Sequence, residues 1–202
     1  MPSNKLIRRA AALASIVALG AGLAACSNDP VTEQYFSGDS KGYISGEFQV
    51  QEIAPDDRGE PVAWSGVTED GEQLSNDDTA GKVTVVNFWY ADCAPCRTEA
   101  AHLEKSWQAH QDGDVAFVGV NTENEAATAK SFAEKFHITY PSLIDGKTGE
   151  AKLAFAAATP LQATPITLVL DQEGRVAARI ISAIDSPSVL NTLIDDVLEE
   201  AA

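Results

Sequence analysis

The stretch Val83-Thr84-Val85-Val86-Asn87-Phe88-Trp89-Tyr90-Ala91-Asp92-Cys93-Ala94-Pro95-Cys96 decides how the rest of the chain is read. From Val83 to Tyr90 it is β-branched or aromatic apart from one Asn, the pattern of a strand buried on both faces of a sheet. Directly behind it, Ala94 opens a helix to about Ala109, because Cys96, Ala100, Leu103 and Trp107 recur at helical spacing. A helix that starts there leaves unpaired backbone N–H groups at its first turn, and these, with the helix dipole, favour negative charge. A thiol at that point is stabilised as the thiolate, the form that attacks disulfides. Cys93 is therefore the expected nucleophile. Cys96, one turn on and facing the core, is expected to resolve the mixed disulfide by expelling the substrate thiol. Pro95 falls in the first turn, where its missing N–H costs little and its fixed φ keeps the two sulfurs close.

Outward from this unit, Val115 to Val120 reads as a second buried strand, and Thr122 with Glu125 is expected to form a capping box for a helix carrying Phe132 and Phe136. Strand, helix, strand, helix implies a parallel unit. Ser142 to Asp145 reads as a short extended segment, Ala151 to Ala158 as a short helix and Ile166 to Leu170 as a strand. A turn at Asp171 to Gly174 leads into Val176 to Ser182, an antiparallel hairpin closing one side of the sheet. The last helix has Ser186 as N-cap, Pro187 in its first turn and an apolar stripe of Leu190, Leu193, Ile194 and Val197. Upstream, Tyr43 to Ile53, Val62 to Val67 and a turn at Asp70-Gly71 read as short strands with a hairpin. The expected fold class is α/β: a mixed central sheet flanked by helices, with an N-terminal β-hairpin extension, over residues 46–202.

Composition narrows the function. The chain has 202 residues and 45% hydrophobic content, enough for one domain with a core. Its 14 Lys plus Arg against 30 Asp plus Glu give a net charge of -16, which repels phosphate backbones and excludes a nucleic-acid partner. Three cysteines are too few for a disulfide-stapled mini-domain or a multi-site zinc protein. Lys5, Arg8 and Arg9 precede an uncharged apolar run from Ala10 to Leu23, too short for a comfortable bilayer span and shaped like a secretory signal. The run ends in Leu23-Ala24-Ala25-Cys26, which resembles a bacterial lipobox. That implies a signal peptide over residues 1–25, a lipidated Cys26 as first mature residue, and a polar tether over residues 26–45. Loss of residues 1–25 removes three positive charges and leaves 11 basic against 30 acidic residues, so acyl chains rather than surface charge are expected to hold the protein to the membrane.

Two bland readings of the dithiol compete with the redox one. A structural bridge across two intervening residues closes almost no loop and stabilises little. A metal site needs converging ligands, and His102 lies roughly 240° round the helix from Cys96. His110 and His137 are expected at the surface or in loops. Glu99, three residues beyond Cys96, shares that side of the helix and is either a proton relay or a solvated helix glutamate. Trp89 is expected in the core, with Tyr90 lining a groove.

Val85-Val86-Asn87-Phe88-Trp89 running into Cys93-Ala94-Pro95-Cys96-Arg97-Thr98-Glu99, with Ala163-Thr164-Pro165 before a later strand, resembles the thioredoxin fold of the ResA/TlpA-like thiol-disulfide oxidoreductases. The similarity covers about residues 46 to 202. It implies an extracytoplasmic, membrane-tethered enzyme whose redox disulfide is its only cofactor, with no metal. It also implies that Pro165 is a cis-proline facing the dithiol, that Thr164 offers its backbone to an extended substrate strand, and that Glu99 occupies an acidic position near the pair. The implied partners are protein thiols and disulfides, among them apocytochrome c haem-site cysteines during cytochrome c maturation, and a membrane thiol reductant of the CcdA/DsbD type. Two positions depart from the family pattern: Asp92 stands where Trp is common, and Ala101 where Pro is common. Asp92 and Glu99 oppose thiolate formation at Cys93 and Arg97 offsets only part of that, so a reducing pair is expected, near about -270 mV. A copper chaperone and an oxidative-folding thiol oxidase of the cell envelope remain the alternatives.

Overall fold

The computed structural model describes residues 50–161 and 163–200. Residues 1–25, Cys26 and the tether up to residue 45 lie outside them. Along the chain the strands are β1 (Val50–Glu52), β2 (Ser65–Val67), β3 (Gln73–Ser75), β4 (Val83–Trp89), β5 (Val115–Asn121), β6 (Ser142–Ile144), β7 (Ile166–Leu170) and β8 (Val176–Ile181). The helices are α1 (Ala94–His110), α2 (Ala126–Phe136), α3 (Glu150–Ala158) and α4 (Pro187–Glu199).

Every residue of β4 is buried, as its apolar run requires. It lies inside a six-stranded mixed sheet of order β1-β8-β7-β4-β5-β6. It pairs parallel with β5, Val83 opposite Val115, and antiparallel with β7, Phe88 opposite Ile166. Alternation along the strand splits its side chains between two cores. Val83 and Val85 pack with Leu103 of α1 and with Leu190 and Ile194 of α4. Val86 and Phe88 pack on the opposite face with Trp64 and with Phe155 of α3. Helices therefore cover both faces. Because β7 runs against β4 and β8 against β7, the end of β4, the start of β7 and the end of β8 meet at one end of the sheet. The functional site is built there.

The front of the domain differs in one respect from the sequence reading. The hairpin joins β2 to β3 across Asp70-Gly71, with Gly71 at φ 86°. β1 is not part of it, and instead pairs antiparallel with β8 at the edge of the main sheet. Between these pieces Arg58 donates to the Ile53 carbonyl and bridges Asp171 at 3.1 Å and Glu200, with its own side chain 3% exposed. The segment ahead of the hairpin is thereby fastened to the β7–β8 turn and to the end of α4.

The capping box expected at Thr122 and Glu125 does not form. Glu125 is itself the N-cap of α2, with no side-chain cap bond. Asn121 and Asn124 organise that turn instead: Asn121 Oδ1 accepts from the Asn124 and Glu123 N–H groups at 2.7 and 3.3 Å. A side-chain amide two residues behind a turn captures the free N–H groups as well as a hydroxyl does. At α4 the expected cap is present, Ser186 Oγ accepting from the Ser188 N–H at 3.3 Å.

Candidate active site

Cys93 is the N-cap of α1, and its own sulfur serves as the cap acceptor: the Cys96 N–H donates to Cys93 Sγ at 3.1 Å. The two cysteines form a disulfide, with S–S 2.10 Å, and are 3% and 2% exposed. A partial positive charge from the helix terminus thus points at the leading sulfur, as the position of the motif predicts. The turn carrying it is braced by the Cys93 N–H on the Tyr90 carbonyl, by Arg97 Nη1 on the Ala91 carbonyl and by the Ala91 N–H on Asn124 Oδ1 at 2.7 Å. Asp92 is exposed.

The start of β7 brings the second half of the site. The Thr164-Pro165 peptide is cis, and the Thr164 carbonyl oxygen lies 3.9 Å from Cys93 Sγ. The Pro165 carbonyl accepts from the Ser182 N–H at 3.2 Å, where β8 ends one residue earlier than its sequence pattern suggests and Ser182 turns at φ 102°. Cys93, Cys96, Thr164 and Pro165 are therefore one cluster, assembled from residues 71 positions apart in the chain.

Glu99 is not a solvated helix residue: it is 0% exposed. Its Oε1 accepts from Asn87 Nδ2 at 2.9 Å and its Oε2 from the Ile184 N–H at 3.0 Å. Burial pushes its carboxyl up to about 7, against the two hydrogen bonds, which favour the ionised form. Burial also raises the Tyr140 phenol, and the nearby Glu99 charge adds to that. Asn87 and Thr167 are participants that the motif did not announce. Asn87 Nδ2 also reaches Thr167 Oγ1 at 3.0 Å. The signal was present, since one amide in an otherwise apolar buried strand must find partners. Beside Cys96 a narrow cavity is lined by Asn87, Trp89, Leu103, Phe132 and Tyr140. Trp89 is core, as expected, donating from Nε1 to Ser142 Oγ at 3.2 Å. His102 and His110 stay on α1 and His137 ends α2, with His110 facing Asp195 at 3.3 Å.

The family model for Redoxin matches residues 49–194. The chain belongs to the Redoxin family. It is 33% identical over 137 residues to the thioredoxin-like protein YneN of Bacillus subtilis (strain 168), covering 65% of this chain and 72% of YneN. It is 25% identical over 107 residues to the thiol-disulfide oxidoreductase ResA of Halalkalibacterium halodurans, covering 53% of this chain and 58% of that ResA. The match thus spans less than two thirds of ResA's length. A DsbF homologue from Corynebacterium diphtheriae superposes with TM-score 0.63 at 26% identity, covering 76% of this chain and 96% of that one. A secreted thiol-disulfide isomerase from Corynebacterium glutamicum gives 0.65 at 25%, covering 77% and 95%. The fold is thioredoxin-like, and this Redoxin-family chain is a thiol-disulfide oxidoreductase with a Cys93–Cys96 redox disulfide.

Proposed function

We propose that the protein is a membrane-anchored, extracytoplasmic reductant of protein disulfides, with apocytochrome c haem-site cysteines as its substrate class. The observation that carries this reading is the setting of Cys93. The Cys96 N–H at the helix terminus donates to its sulfur, Asp92 is its chain neighbour, and the one cation nearby in sequence, Arg97, directs Nη1 to the Ala91 carbonyl. A thiolate stabilised so modestly leaves the reduced pair without the extra stability that makes a strong oxidant.

In the proposed cycle the Cys93 thiolate attacks one substrate sulfur, breaks the substrate S–S bond and releases the first substrate thiolate. Cys96 then attacks Cys93 Sγ, forms the Cys93–Cys96 bond and releases the second. Two electrons pass to the substrate. Glu99 accepts the Cys96 proton, a role supported by its burial and its pKa near neutrality. Thr164 and Pro165 hold an extended substrate strand against the sulfur. A membrane thiol reductant of the CcdA/DsbD type returns the two electrons, and Cys26, lipidated, keeps the domain within its reach.

The test is reduction of a peptide carrying a disulfide-closed Cys-x-x-Cys-His site by the full chain in detergent. Reduction well above that by dithiothreitol alone supports the proposal, and no acceleration refutes it. Labelling with a radioactive fatty acid that Cys26→Ser abolishes supports the anchor. Likeness to a secreted thiol-disulfide isomerase and a DsbF homologue favours a second reading, disulfide formation or isomerisation outside the cytoplasm, and the potential of the pair separates the two.

A further inference from the structure

Arg179, inside β8, is 8% exposed, and its hydrogen-bond acceptors are all neutral. Its Nη1 donates to Thr159 Oγ1 at 3.0 Å and to the Pro160 carbonyl at 3.2 Å, and its Nη2 to Gln51 Oε1 at 2.6 Å. No ion pair among the described residues includes it. Burying a guanidinium is costly, and neutral acceptors offset that cost only in part, so net stabilisation is a poor account of it. What Arg179 has that Lys or an apolar residue lacks is a rigid planar fork, here reaching two chain segments at once. One is the adjacent pair Thr159 and Pro160, where α3 ends and the chain sets out towards Pro165, and the other is β1 at Gln51.

The far end of that connection is held by the same strand. The Ser182 N–H donates to the Pro165 carbonyl at 3.2 Å, three residues beyond Arg179. Pro160 is thus pinned to β8 through a side chain, and Pro165 to Ser182, the residue that follows β8, through the backbone. Between them lies Thr164, whose carbonyl stands 3.9 Å from Cys93 Sγ. Thr164 stands four residues beyond Pro160 along the chain.

We propose that Arg179 is a positioning residue for exchange with protein substrates: its guanidinium sets where Thr164 and Pro165 stand against Cys93. It thereby fixes the register in which an extended substrate strand meets the sulfur. This rests on the docking role of Thr164 and Pro165 proposed above.

The experiment compares two second-order rates for the reduced full chain in detergent, one with a disulfide-closed peptide and one with a small aromatic disulfide that has no strand to dock. In Arg179→Gln the peptide-to-small-disulfide rate ratio falls about tenfold or more, since misplacement by an ångström costs up to about 100-fold in well-positioned reactions. Arg179→Lys, with a charge but no fork, recovers only part of it. Thr159→Val and Gln51→Leu, which each remove one acceptor and keep the charge, lower the ratio less and in the same direction, and they carry the test if Arg179→Gln does not fold. A purely structural role slows both reactions alike and leaves the ratio where it was. An unchanged ratio in this series beside a lowered ratio in Pro165→Ala overturns the role of Arg179 and leaves the docking reading standing. An unchanged ratio in Pro165→Ala as well overturns both.

Discussion

The side-chain amide of Asn87 donates to Glu99 Oε1 at 2.9 Å and to Thr167 Oγ1 at 3.0 Å, so the carboxyl one turn beyond Cys96 is held from the central strand rather than from its own helix. The Ile184 N–H holds the second oxygen from the β8–α4 connection. Two segments of the fold besides its own helix thus hold one acid that has no access to solvent.

That acid gives the protein a stability that depends on pH. In the folded protein Glu99 keeps its proton up to about pH 7, whereas the unfolded chain releases it near 4.5. The native state binds the extra proton between those values, so stability falls as pH rises from about 4.5 to 7 and is level above that. Glu99→Gln removes this slope, while its amide nitrogen cannot accept one of the two hydrogen bonds that the carboxylate accepts from Asn87 Nδ2 and the Ile184 N–H. Urea unfolding of both at pH 5 and pH 8 checks it: parallel curves for parent and variant contradict the prediction.

The same variant reports on mechanism. On the proposed role of Glu99 as proton acceptor, its loss slows resolution by Cys96 at neutral pH by about 100-fold, the low end for general base catalysis. Asn87→Ala removes a hydrogen bond that favours the ionised form, so the inflection in the rate profile moves above that of the parent. An inflection that stays in place when Asn87 is changed would separate the profile from Glu99.

Division of labour between the sulfurs follows from the cap. Only Cys93 Sγ receives a helix-terminal N–H and lies against the Thr164 carbonyl. Cys96→Ser therefore accumulates mixed disulfides with substrate, visible on non-reducing gels and lost on adding dithiothreitol, whereas Cys93→Ser accumulates none. Trapping by Cys93→Ser alone would reverse the roles.

Gly119 of β5 sits where a side chain has no room. A Cβ there falls 2.8 Å from Trp89 Nε1 and also onto the Ser142 hydroxyl, the two groups bonded to each other. Gly119→Ala destabilises by about 3 kcal/mol through overpacking and loss of that bond. A midpoint within error of the parent in urea unfolding would show that the strand moves aside without cost.

The central strand, the helix behind it and the last three elements were legible because each has a strong local signal. β7 runs over Ile166–Leu170 as its pattern demands, and Ser186 caps α4. The dithiol was legible for the same reason, being local. Less was visible where a residue's partner is distant. Thr122 and Glu125 have capping-box spacing, yet Asn121 and Asn124 take the turn, a competition decided by tertiary placement. Whether β1 joined a hairpin or the sheet edge depended on β8, more than 120 residues on. Glu99 could be placed on a helix face but not under a lid, because the lid is the Ile184 connection. Arg179 carries no motif at all, and only its three acceptors give it meaning.

Whether this pair donates electrons, as proposed, turns on how far the helix terminus stabilises the Cys93 thiolate. Equilibrating the protein in defined thiol-disulfide buffers and reading the reduced fraction of Cys93–Cys96 measures the potential directly. The expected potential is about -270 mV, on the reducing side with thioredoxin. A value above about -180 mV, where disulfide isomerase sits, would contradict it and make the protein an oxidant or isomerase.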